Sequence, residues 1–554
     1  MSDLILKTLE TRELKLNTMQ LRGFYGKKMR RGSGGGSSGD GFPVLPGDVT
    51  RWHFGGLTNE MMAAMDDPRL EDADGKGRFL SFKNFLWAGM SGVGGYETYQ
   101  SVYKFTFDLY ANTCISKTRD HVNLTFKVTG LQPGNSLSLA YFGTTNTVYG
   151  TWTKDGVYTV NSKVTEVGKP LIFYNGYGST RGEFTIEIFP LYPGFILGDG
   201  VDDFAVTEKE LNFEDTYTVY TAFIPFDHSL DRFNVLCGKN TKDFYVNYFN
   251  DIRFYTAGGF GALPLRVNQF TVLLCKRIGT TGIIKNLITG ESAQFKISQL
   301  IDNPGLYYLW RSTTIFNYAR AAIAGQTICN GHFSTDEEDE KVLNYYKQEY
   351  PWLFPDQAWT VTGKTNEDTD RATIANITSN GNNLGLSNFG FIEGSGYNEE
   401  GEYAGYLVTD GVDDKMISSN FKFGENYTVV GEWEFLQEDS NIAAGFLKNP
   451  NYWGFFNYKD GTNALIKTDA QASFISGVHS IKASTSKGDI YPDFNSYVKI
   501  EPGKRIESQY ALNIAVNNTI FTKLAFKNLA IYPTVLSKED CIKSYIYLQT
   551  LKAK

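Results

Sequence analysis

The sequence predicts an all-β protein of tandem antiparallel β-sandwiches that follow an extended N-terminal arm. Aromatic residues make up 15% of the 554 residues, and 56 glycines are available for tight turns. Tyr and Phe favour half-buried pleated surfaces, so this composition favours strands. Short segments alternate between apolar and polar residues, and one acidic pentapeptide occurs twice.

The repeated pentapeptide is Asp-Gly-Val-Asp-Asp, at residues 199–203 and 410–414. A second related pair follows at 213–219 and 423–429. The members of the two pairs are 211 and 210 residues apart. Because the spacing is nearly constant, we interpret the repeat as one domain type used twice.

The first residues are basic. Residues 1–31 carry eight Lys and Arg against three acidic residues, although the whole chain has a net charge of −8. A Gly/Ser-rich linker follows at 32–39. Such an arm is expected to dock on an acidic partner protein. The alternatives are a solvated tail and, ranked below it, an arm that binds nucleic acid. The candidate partner-binding residues are Arg22, Lys27, Lys28, Arg30 and Arg31.

The remaining chain divides by pattern. Period-two alternation, as at Leu124, Phe126 and Val128, predicts a small jelly-roll-like sandwich, which serves as a structural spacer or, as the alternative, binds carbohydrate. Each repeat ends in a predicted helix, capped by Thr335 and by Ser537. The predicted domains are an arm and linker at 1–50, a mixed junction at 51–103, the small sandwich at 104–193, and two repeats at 194–352 and 353–554.

Several functional classes find no support in the sequence. The five cysteines are widely spaced and predict buried thiols in a reducing compartment. The five histidines lack the spacing of a zinc site. The N-terminus lacks the apolar core of a signal peptide, and no apolar run is long enough for a membrane helix, so we expect no membrane association.

The second repeat resembles laminin G or concanavalin A-like sandwiches. The resemblance rests on residues 379–384 (SNGNNL), 410–414 (DGVDD), 426–429 (NYTV) and 528–537 (NLAIYPTVLS). The phrase at 363–371 (GKTNEDTDR) before such a repeat resembles structural proteins of crAss-like and related Bacteroidetes phages. That resemblance implies a head-fibre, capsid-decorating or tail-fibre protein fixed to the particle by its arm.

Calcium is the first candidate ligand. Each acidic pentapeptide offers carboxylate oxygens, which calcium prefers, and the alternative is an Asp-Gly turn whose aspartates bind backbone N–H groups. The candidate metal residues are Asp199, Asp202, Asp203, Asp410, Asp413 and Asp414. We expect no other cofactor.

Glycans are the second candidate, because aromatic rings can stack on sugars, although such rings more often lie in a core. The candidate residues are Tyr452, Trp453 and Phe455, with Tyr245, Tyr248 and Phe249 as their counterparts in the first repeat. Catalysis is the third candidate: Glu432 and Glu434 lie on one face of a predicted strand, as two glycosidase carboxylates could.

We therefore expect a non-enzymatic virion structural protein without catalytic residues. It would be a head-fibre or capsid-decorating appendage on the virion surface, assembled in the host cytoplasm. A homo-oligomer is expected, dimer or trimer, with virion proteins as partners. The alternatives are a tail-fibre or receptor-binding adhesin that recognises host surface glycans and, ranked below it, a capsule depolymerase.

Overall fold

Antiparallel strands dominate the part of the chain that the computed structural model describes. Contacts divide the chain into residues 1–44 and residues 45–554, and the fold below is that of the second unit. The described residues are 41–55, 57, 61–62, 64–85, 103–108, 113–117, 121–141, 143–144, 146–163, 166, 169–175, 183–189, 191–200, 202–226, 234–240, 244–298, 305–311, 318–378, 381–401, 403–436, 442–447, 454–458, 463–467, 470–474, 480–494, 496–501, 511–517 and 520–553.

The chain up to the first helix forms two sandwiches, one large and one small. Its first strands are β1 (Asp48–His53), β2 (Arg69–Glu71) and β3 (Phe79–Lys83). The next eight are β4 (Tyr103–Asp108), β5 (Thr113–Lys117), β6 (His121–Thr129), β7 (Leu137–Tyr141), β8 (Thr147–Trp152), β9 (Gly156–Lys163), β10 (Pro170–Asn175) and β11 (Glu183–Phe189). The last twelve are β12 (Ile196–Asp199), β13 (Phe204–Thr207), β14 (Thr216–Pro225), β15 (Asn234–Asn240), β16 (Phe244–Tyr248), β17 (Asp251–Thr256), β18 (Gly259–Pro264), β19 (Thr271–Ile278), β20 (Thr281–Asn286), β21 (Ser292–Lys296), β22 (Tyr308–Leu309) and β23 (Arg320–Asn330).

Helix α1 (Asp336–Glu349) and a 3₁₀ helix (Pro351–Leu353) lead into the second large sandwich. Its strands are β24 (Gln357–Thr360), β25 (Thr373–Ile374), β26 (Leu384–Ser387), β27 (Gly396–Asn398), β28 (Tyr406–Val408), β29 (Lys415–Ser418), β30 (Thr428–Phe435), β31 (Ile442–Leu447), β32 (Gly454–Tyr458), β33 (Asn463–Lys467), β34 (Ala470–Phe474), β35 (Lys482–Thr485), β36 (Asp489–Tyr491), β37 (Val498–Lys499), β38 (Asn513–Ile514), β39 (Val516–Asn517), β40 (Ile520–Phe521) and β41 (Leu524–Tyr532). Helix α2 (Lys538–Thr550) closes it.

The two large sandwiches share one strand order. In the first, one sheet runs β1-β23-β14-β19-β20-β21 with β12 on β23, and the other runs β18-β17-β16-β15-β22-β13-β3-β2. In the second, one sheet runs β27-β28-β41-β30-β35-β36-β37 with β24 on β41, and the other runs β25-β26-β29-β38-β31-β32-β33-β34. The ladders between these strands are antiparallel, so the predicted fold class is confirmed.

The small sandwich lies between strands of the first large one. Its two sheets run β5-β10-β7-β8 and β4-β11-β6-β9. The preceding strands β1 and β3 pair with β23 and β13, which follow it in the chain. The small sandwich is thus an insertion, and strands from the predicted junction belong to the first large sandwich. The predicted domain boundaries themselves stay predictions.

The predicted alternation positions the small core. The side chains of Leu124, Phe126 and Val128 are buried, as are those of Phe184 and Ile186 on the neighbouring strand. Period two places alternate residues on one face of a sheet, and these faces meet in a single apolar cluster. The alternation noted in the sequence is therefore a core pattern.

Both helices begin where their caps predict. Thr335 accepts a hydrogen bond from the Glu338 backbone N–H, and the Glu338 side chain accepts one from the Thr335 backbone. Ser537 accepts from the backbone N–H of Asp540 in the same way. Such caps satisfy backbone donors that the first turn leaves free, so both predicted starts are confirmed. Among the described residues, no helix combines the length and apolar composition needed to cross a membrane.

Aromatic side chains join the two large sandwiches. Trp352 of the 3₁₀ helix is buried, 6.5 Å from the Phe195 ring and 6.0 Å from the Tyr547 ring. The Phe270 backbone N–H donates to the Tyr547 hydroxyl at 3.2 Å. The Asn268 side chain donates to the Thr550 carbonyl at 2.9 Å. Helix α2 therefore packs against loops of the first sandwich as well as against its own sheet.

Candidate functional site

The acidic loop of the second sandwich brings three carboxylates together. Oxygen atoms of Asp410, Asp413 and Asp414 all lie within 4.8 Å of one another. Gly411 provides the turn, with a φ of 79° that favours glycine. The Val412 backbone N–H donates to Asp410 Oδ1 at 2.7 Å, and the Asp410 N–H donates to Asp414 Oδ2 at 2.8 Å. The predicted Asp-Gly turn is therefore present in this copy.

Asp414 is the buried member of the cluster. Its side chain is 0% exposed. Burial raises the pKa of this carboxyl to about 6, with the negative charges of Asp410 and Asp413 acting in the same direction. Hydrogen bonding to the Asp410 backbone and to Ser395 lowers it in part. A carboxylate with a raised pKa has less compensation for its negative charge than it has in water.

In each copy, an asparagine with a left-handed backbone conformation donates a side-chain hydrogen bond to the acidic loop. Asn388, with a φ of 70°, donates from its side chain to the Asp413 carbonyl at 3.1 Å. Asn84, with a φ of 67°, donates in the same way to the Asp202 carbonyl at 2.9 Å. Asn tolerates this backbone region better than most residues. The two copies therefore share local geometry. Asn84 directly follows β3 as Asn388 directly follows β26, so β3 is the strand of the first repeat that corresponds to β26.

The first acidic loop is described less fully. Asp202 is exposed and Asp203 is buried. The side chain of Asp199 lies outside the described residues. Calcium at either loop stays a prediction at this point.

The other predicted site residues divide into two groups. The five basic residues of the arm (Arg22, Lys27, Lys28, Arg30 and Arg31), as well as Tyr452 and Trp453 and the side chain of Phe455, lie outside the described residues. In the first repeat, Tyr245 and Tyr248 are buried, with 2% and 1% of their side chains exposed. Because a stacking ring needs an open face, neither ring can receive a sugar there.

Glu432 supports a helix. Its side chain is 1% exposed, on β30 under helix α2. Tyr545 and Gln549 of α2 each donate to Oε2 at 2.8 Å. Tyr406 donates to Oε1, and the Lys527 ammonium lies 3.4 Å from that atom. Glu434 is also buried, at 7% exposure. The pair predicted as possible catalytic carboxylates therefore lies beneath a helix.

A cleft of about 800 Å³ lies where the two large sandwiches meet. This volume is within the range typical of small-molecule sites. The first sandwich contributes loops around β18 to β21, helix α1 contributes one exposed face, and the second sandwich contributes β24 and the segment before α2. The polar lining residues are Arg266, Gln269, Asn286, Thr289, Asn344, Lys347, Gln348, Asp356, Thr378 and Thr534.

Apolar faces complete this cleft. Phe354, Pro355 and Pro533 line it and are partly exposed or exposed, beside the more deeply buried Phe270 and Tyr547. The Arg266 guanidinium is paired with Glu291 at 2.8 Å. The arrangement combines amide and hydroxyl groups, which donate and accept hydrogen bonds, with flat apolar surfaces.

Sequence reasoning missed the cleft because its residues come from segments far apart in the chain. One signal pointed to it. The run Pro351-Trp352-Leu353-Phe354-Pro355 stands out as a boundary between the repeats, and all of its residues except Trp352 line the cleft. A rigid aromatic linker between two sandwiches is a place where a groove can form.

Comparisons with known proteins give no family. No protein-family model matches the sequence, and the search of curated proteins gives no match. Among solved structures, a binding domain of botulinum neurotoxin DC in complex with SialylT is 10% identical with a TM-score of 0.24, covering 59% of this chain and 87% of that chain.

Two further solved structures are a sialidase and a tailspike domain. Trypanosoma rangeli sialidase is 11% identical with a TM-score of 0.26, covering 91% of this chain and 99% of that chain. The enzymatically active domain of bacteriophage CBA120 tailspike protein 2 is 16% identical with a TM-score of 0.21, covering 28% of each chain. TM-scores this low assign no function to this chain.

These comparisons do require one correction. We predicted that the chain is not an enzyme, and that exclusion is wrong, since solved structures similar to it include a sialidase and a tailspike enzymatic domain. At these identities the likeness assigns no catalytic activity either. The resemblance to phage appendage proteins stays a prediction.

Proposed function

We propose that the chain is a virion appendage that binds host surface glycans in the cleft between its two large sandwiches. The observation that carries the proposal is the cleft itself, about 800 Å³ in volume and lined by residues of both sandwiches. Ligand sites concentrate in concave surfaces where two domains meet, with a few polar groups among apolar ones.

The lining matches the chemistry of a sugar ring. Hydroxyl groups on the ring edge donate and accept hydrogen bonds, and the amides of Gln269, Asn344 and Gln348 can do both. The ring faces carry C–H groups, which pack against flat apolar surfaces such as Phe354. Arg266 is neutralised by Glu291, and the remaining charged lining residues, Lys347 and Asp356, carry opposite charges. We therefore propose a neutral oligosaccharide as the ligand class.

A glycan array with the full chain tests this proposal. We choose the double variant Asn344→Ala and Gln348→Ala, because both side chains are exposed and lie one turn apart on α1. Ala has a higher helix propensity than either residue, so α1 is expected to keep its structure. We expect the wild type to bind neutral oligosaccharides, and the variant to bind them roughly tenfold more weakly.

The matched control is Lys209→Ala, an exposed residue that does not line the cleft. It should bind like the wild type. An array on which the wild type binds no glycan, or on which the double variant binds like the wild type, would refute the assignment to the cleft.

The virion part of the proposal rests on the basic arm and on the sequence resemblance. We propose that Arg22, Lys27, Lys28, Arg30 and Arg31 attach the chain to acidic surfaces of the capsid or, as the alternative, of the tail. Replacing all five by Ala in the full chain should abolish co-sedimentation with particles that lack the protein. Undiminished co-sedimentation would show that these five residues do not attach the chain to the particle.

A further inference from the structure

We propose that the small sandwich holds the two large sandwiches at a fixed angle, and that Phe494 is a positioning residue for the cleft between them. The effect on glycan affinity rests on the proposed function, whereas the effect on the angle does not. Three observations carry the proposal: a stacked ring contact between the small and the second large sandwich, a buried outward face on the small sandwich, and an aromatic attachment of the small sandwich to the first large one.

The ring contact joins a strand of the small sandwich to the segment between β36 and β37 of the second large sandwich. Phe189, the last residue of β11, stacks on Phe494 with ring centroids 5.7 Å apart and 16° between the ring planes. The Lys127 ammonium of β6 lies 5.8 Å from the centroid of the Phe494 ring. Phe494 is 7% exposed. Aromatic and cation–π contacts of this kind stabilise a domain contact in addition to the apolar area that they bury.

The contact continues into the second large sandwich. Phe494 packs against the Tyr545 ring of α2 at a centroid distance of 5.4 Å, with 82° between the planes. Tyr545 in turn donates to Glu432 of β30 at 2.8 Å. Tyr545 and Glu432 are each 1% exposed. The small sandwich is therefore attached, through Phe494, to a buried part of the second sandwich.

The face of the small sandwich that Phe494 contacts is buried although it points away from the small core. Thr125 lies between two core residues of β6, so its side chain points outward, as does that of Val157 on β9. Thr125 is nonetheless 0% exposed and Val157 3% exposed. Phe189 is the partner of Thr125 in the strand register. The outward face of an isolated antiparallel sheet is solvated, so this burial indicates a face that is covered.

Aromatic side chains attach the small sandwich to the first large sandwich beside the cleft. The segment that leaves β11 contains Phe195, whose ring lies 5.7 Å from Phe270 and 6.5 Å from Trp352. Phe195 is 0% exposed, and Phe270 lines the cleft. The small sandwich is thus attached to both large sandwiches, in addition to the direct contact between them at Trp352 and Tyr547.

Two connections restrict the angle between the large sandwiches more than one does. The lining of the cleft comes from both sandwiches, so its shape depends on this angle. When fewer molecules have the competent shape, the apparent affinity for a ligand falls in proportion to the remaining fraction. Loss of the contact between Phe189 and Phe494 should therefore weaken glycan binding, although neither residue lines the cleft.

Amide hydrogen exchange and glycan binding of the full chain test the proposal. Phe494→Ala and Phe189→Ala remove the ring contact from its two sides. Without glycan, each should speed exchange of the Phe270 amide, which donates to Tyr547 across the direct contact, and leave exchange within β19 unchanged. Each should bind a neutral oligosaccharide selected on the array roughly threefold to tenfold more weakly. The double variant should bind no more weakly than either single variant, because both remove one contact.

Two variants serve as controls. Phe189→Tyr keeps the ring of this half-buried residue, and Phe260→Ala removes the same side chain from a 51% exposed position outside the cleft. Both should behave like the wild type.

Unchanged exchange of the Phe270 amide in both contact variants would overturn the proposal. Faster exchange with unchanged affinity, for a wild type that binds glycan, would overturn the role of Phe494 in positioning the cleft. If the wild type binds no glycan, the proposed function fails, while the exchange data still decide whether the small sandwich holds the two large ones.

Discussion

Asp414 is a buried carboxylate for which the effect of burial on the pKa outweighs the hydrogen bonds from the Asp410 backbone and Ser395. Its pKa is raised to about 6, chiefly by burial, whereas an unfolded Asp titrates near 4. The folded chain therefore binds this proton more tightly than the unfolded chain does. Its contribution to stability is fully present below about pH 4 and is lost as the pH rises through 6.

This pH dependence can be measured against Asp414→Asn in the presence of EDTA. Ionisation of Asp414 should cost the wild type roughly 2 kcal/mol between pH 4.5 and 7.5, because its pKa is about two units higher in the folded chain than in the unfolded chain. The asparagine variant lacks that loss, so it should gain in melting temperature relative to the wild type as the pH rises. A difference between the two proteins that does not change with pH would contradict the raised pKa.

At the scale of residues, the sequence predicted which chemical groups a loop contains better than it predicted which side chains are buried. The acidic pentapeptide correctly indicated a turn with clustered carboxylates, because Asp-Gly strongly restricts the local backbone. It did not indicate that Asp414 is buried, since burial depends on strands far away in the chain. Tyr245 and Tyr248 failed as stacking candidates for the same reason.

Helix α2 is held by a buried carboxylate on the sheet beneath it. Glu432 accepts hydrogen bonds from Tyr545 and Gln549 of α2 and is paired with Lys527. Helix α1 uses the reverse arrangement, in which its own Asp339 accepts from Tyr220 at 2.7 Å and pairs with Lys276 at 3.1 Å on the sheet. Removal of one partner from a buried charge pair of this kind strongly destabilises the fold, because the other charge is then left buried without compensation.

Glu432→Gln should therefore destabilise the second sandwich by about 3 kcal/mol. The carboxylate accepts hydrogen bonds from Tyr545 and Gln549, whereas the new side chain places an amide NH₂ group, itself a donor, among these donors. Hydrogen exchange along residues 538–550 should become faster. The exposed Glu425→Gln is the matched control and should change neither quantity. If both variants unfold at the same denaturant concentration, Glu432 does not hold the helix.

At the scale of elements, the sequence predicted both helix starts from their caps, because capping depends on residues three apart. The packing of the helices could not be predicted in that way. Glu432 and Glu434 are two residues apart on one strand, and acidic residues at this spacing are also typical of a solvated strand face. Only the return of the chain as α2 places tyrosine and glutamine donors over it.

At the scale of the molecule, the two large sandwiches are joined by α2 and the 3₁₀ helix. The Tyr547 hydroxyl accepts the Phe270 backbone N–H across this joint. Tyr547→Phe leaves that buried N–H without its acceptor and should cost about 1–3 kcal/mol in the free energy of unfolding. The control is Tyr497→Phe, whose exposed hydroxyl bonds Asp489 and can be replaced by water.

A denaturation experiment that finds equal stability for the two tyrosine variants would show that the joint does not depend on this contact. If Tyr547→Phe is destabilised as expected, glycan affinity should fall as well, because Tyr547 lines the cleft. The control should retain the affinity of the wild type.

The repeat in the sequence predicted two sandwiches of one type, but it could not place their first strands. Strands β1 and β3 precede the small sandwich and pair with β23 and β13, which follow it. In each pair the two strands are more than a hundred residues apart in the chain. Pairing over such distances is set by the global fold, whereas alternation and turn signals are local. The cleft depends on the same long-range pairing, so the sequence alone gave no view of it.

The most direct test of the glycan-binding account is a crystal structure of the full chain with an oligosaccharide selected on the array. We expect density for the sugar in the cleft, within hydrogen-bond distance of Gln269, Asn344 or Gln348 and packed against Phe354. Density elsewhere, for example beside Trp453, with an empty cleft would contradict the account.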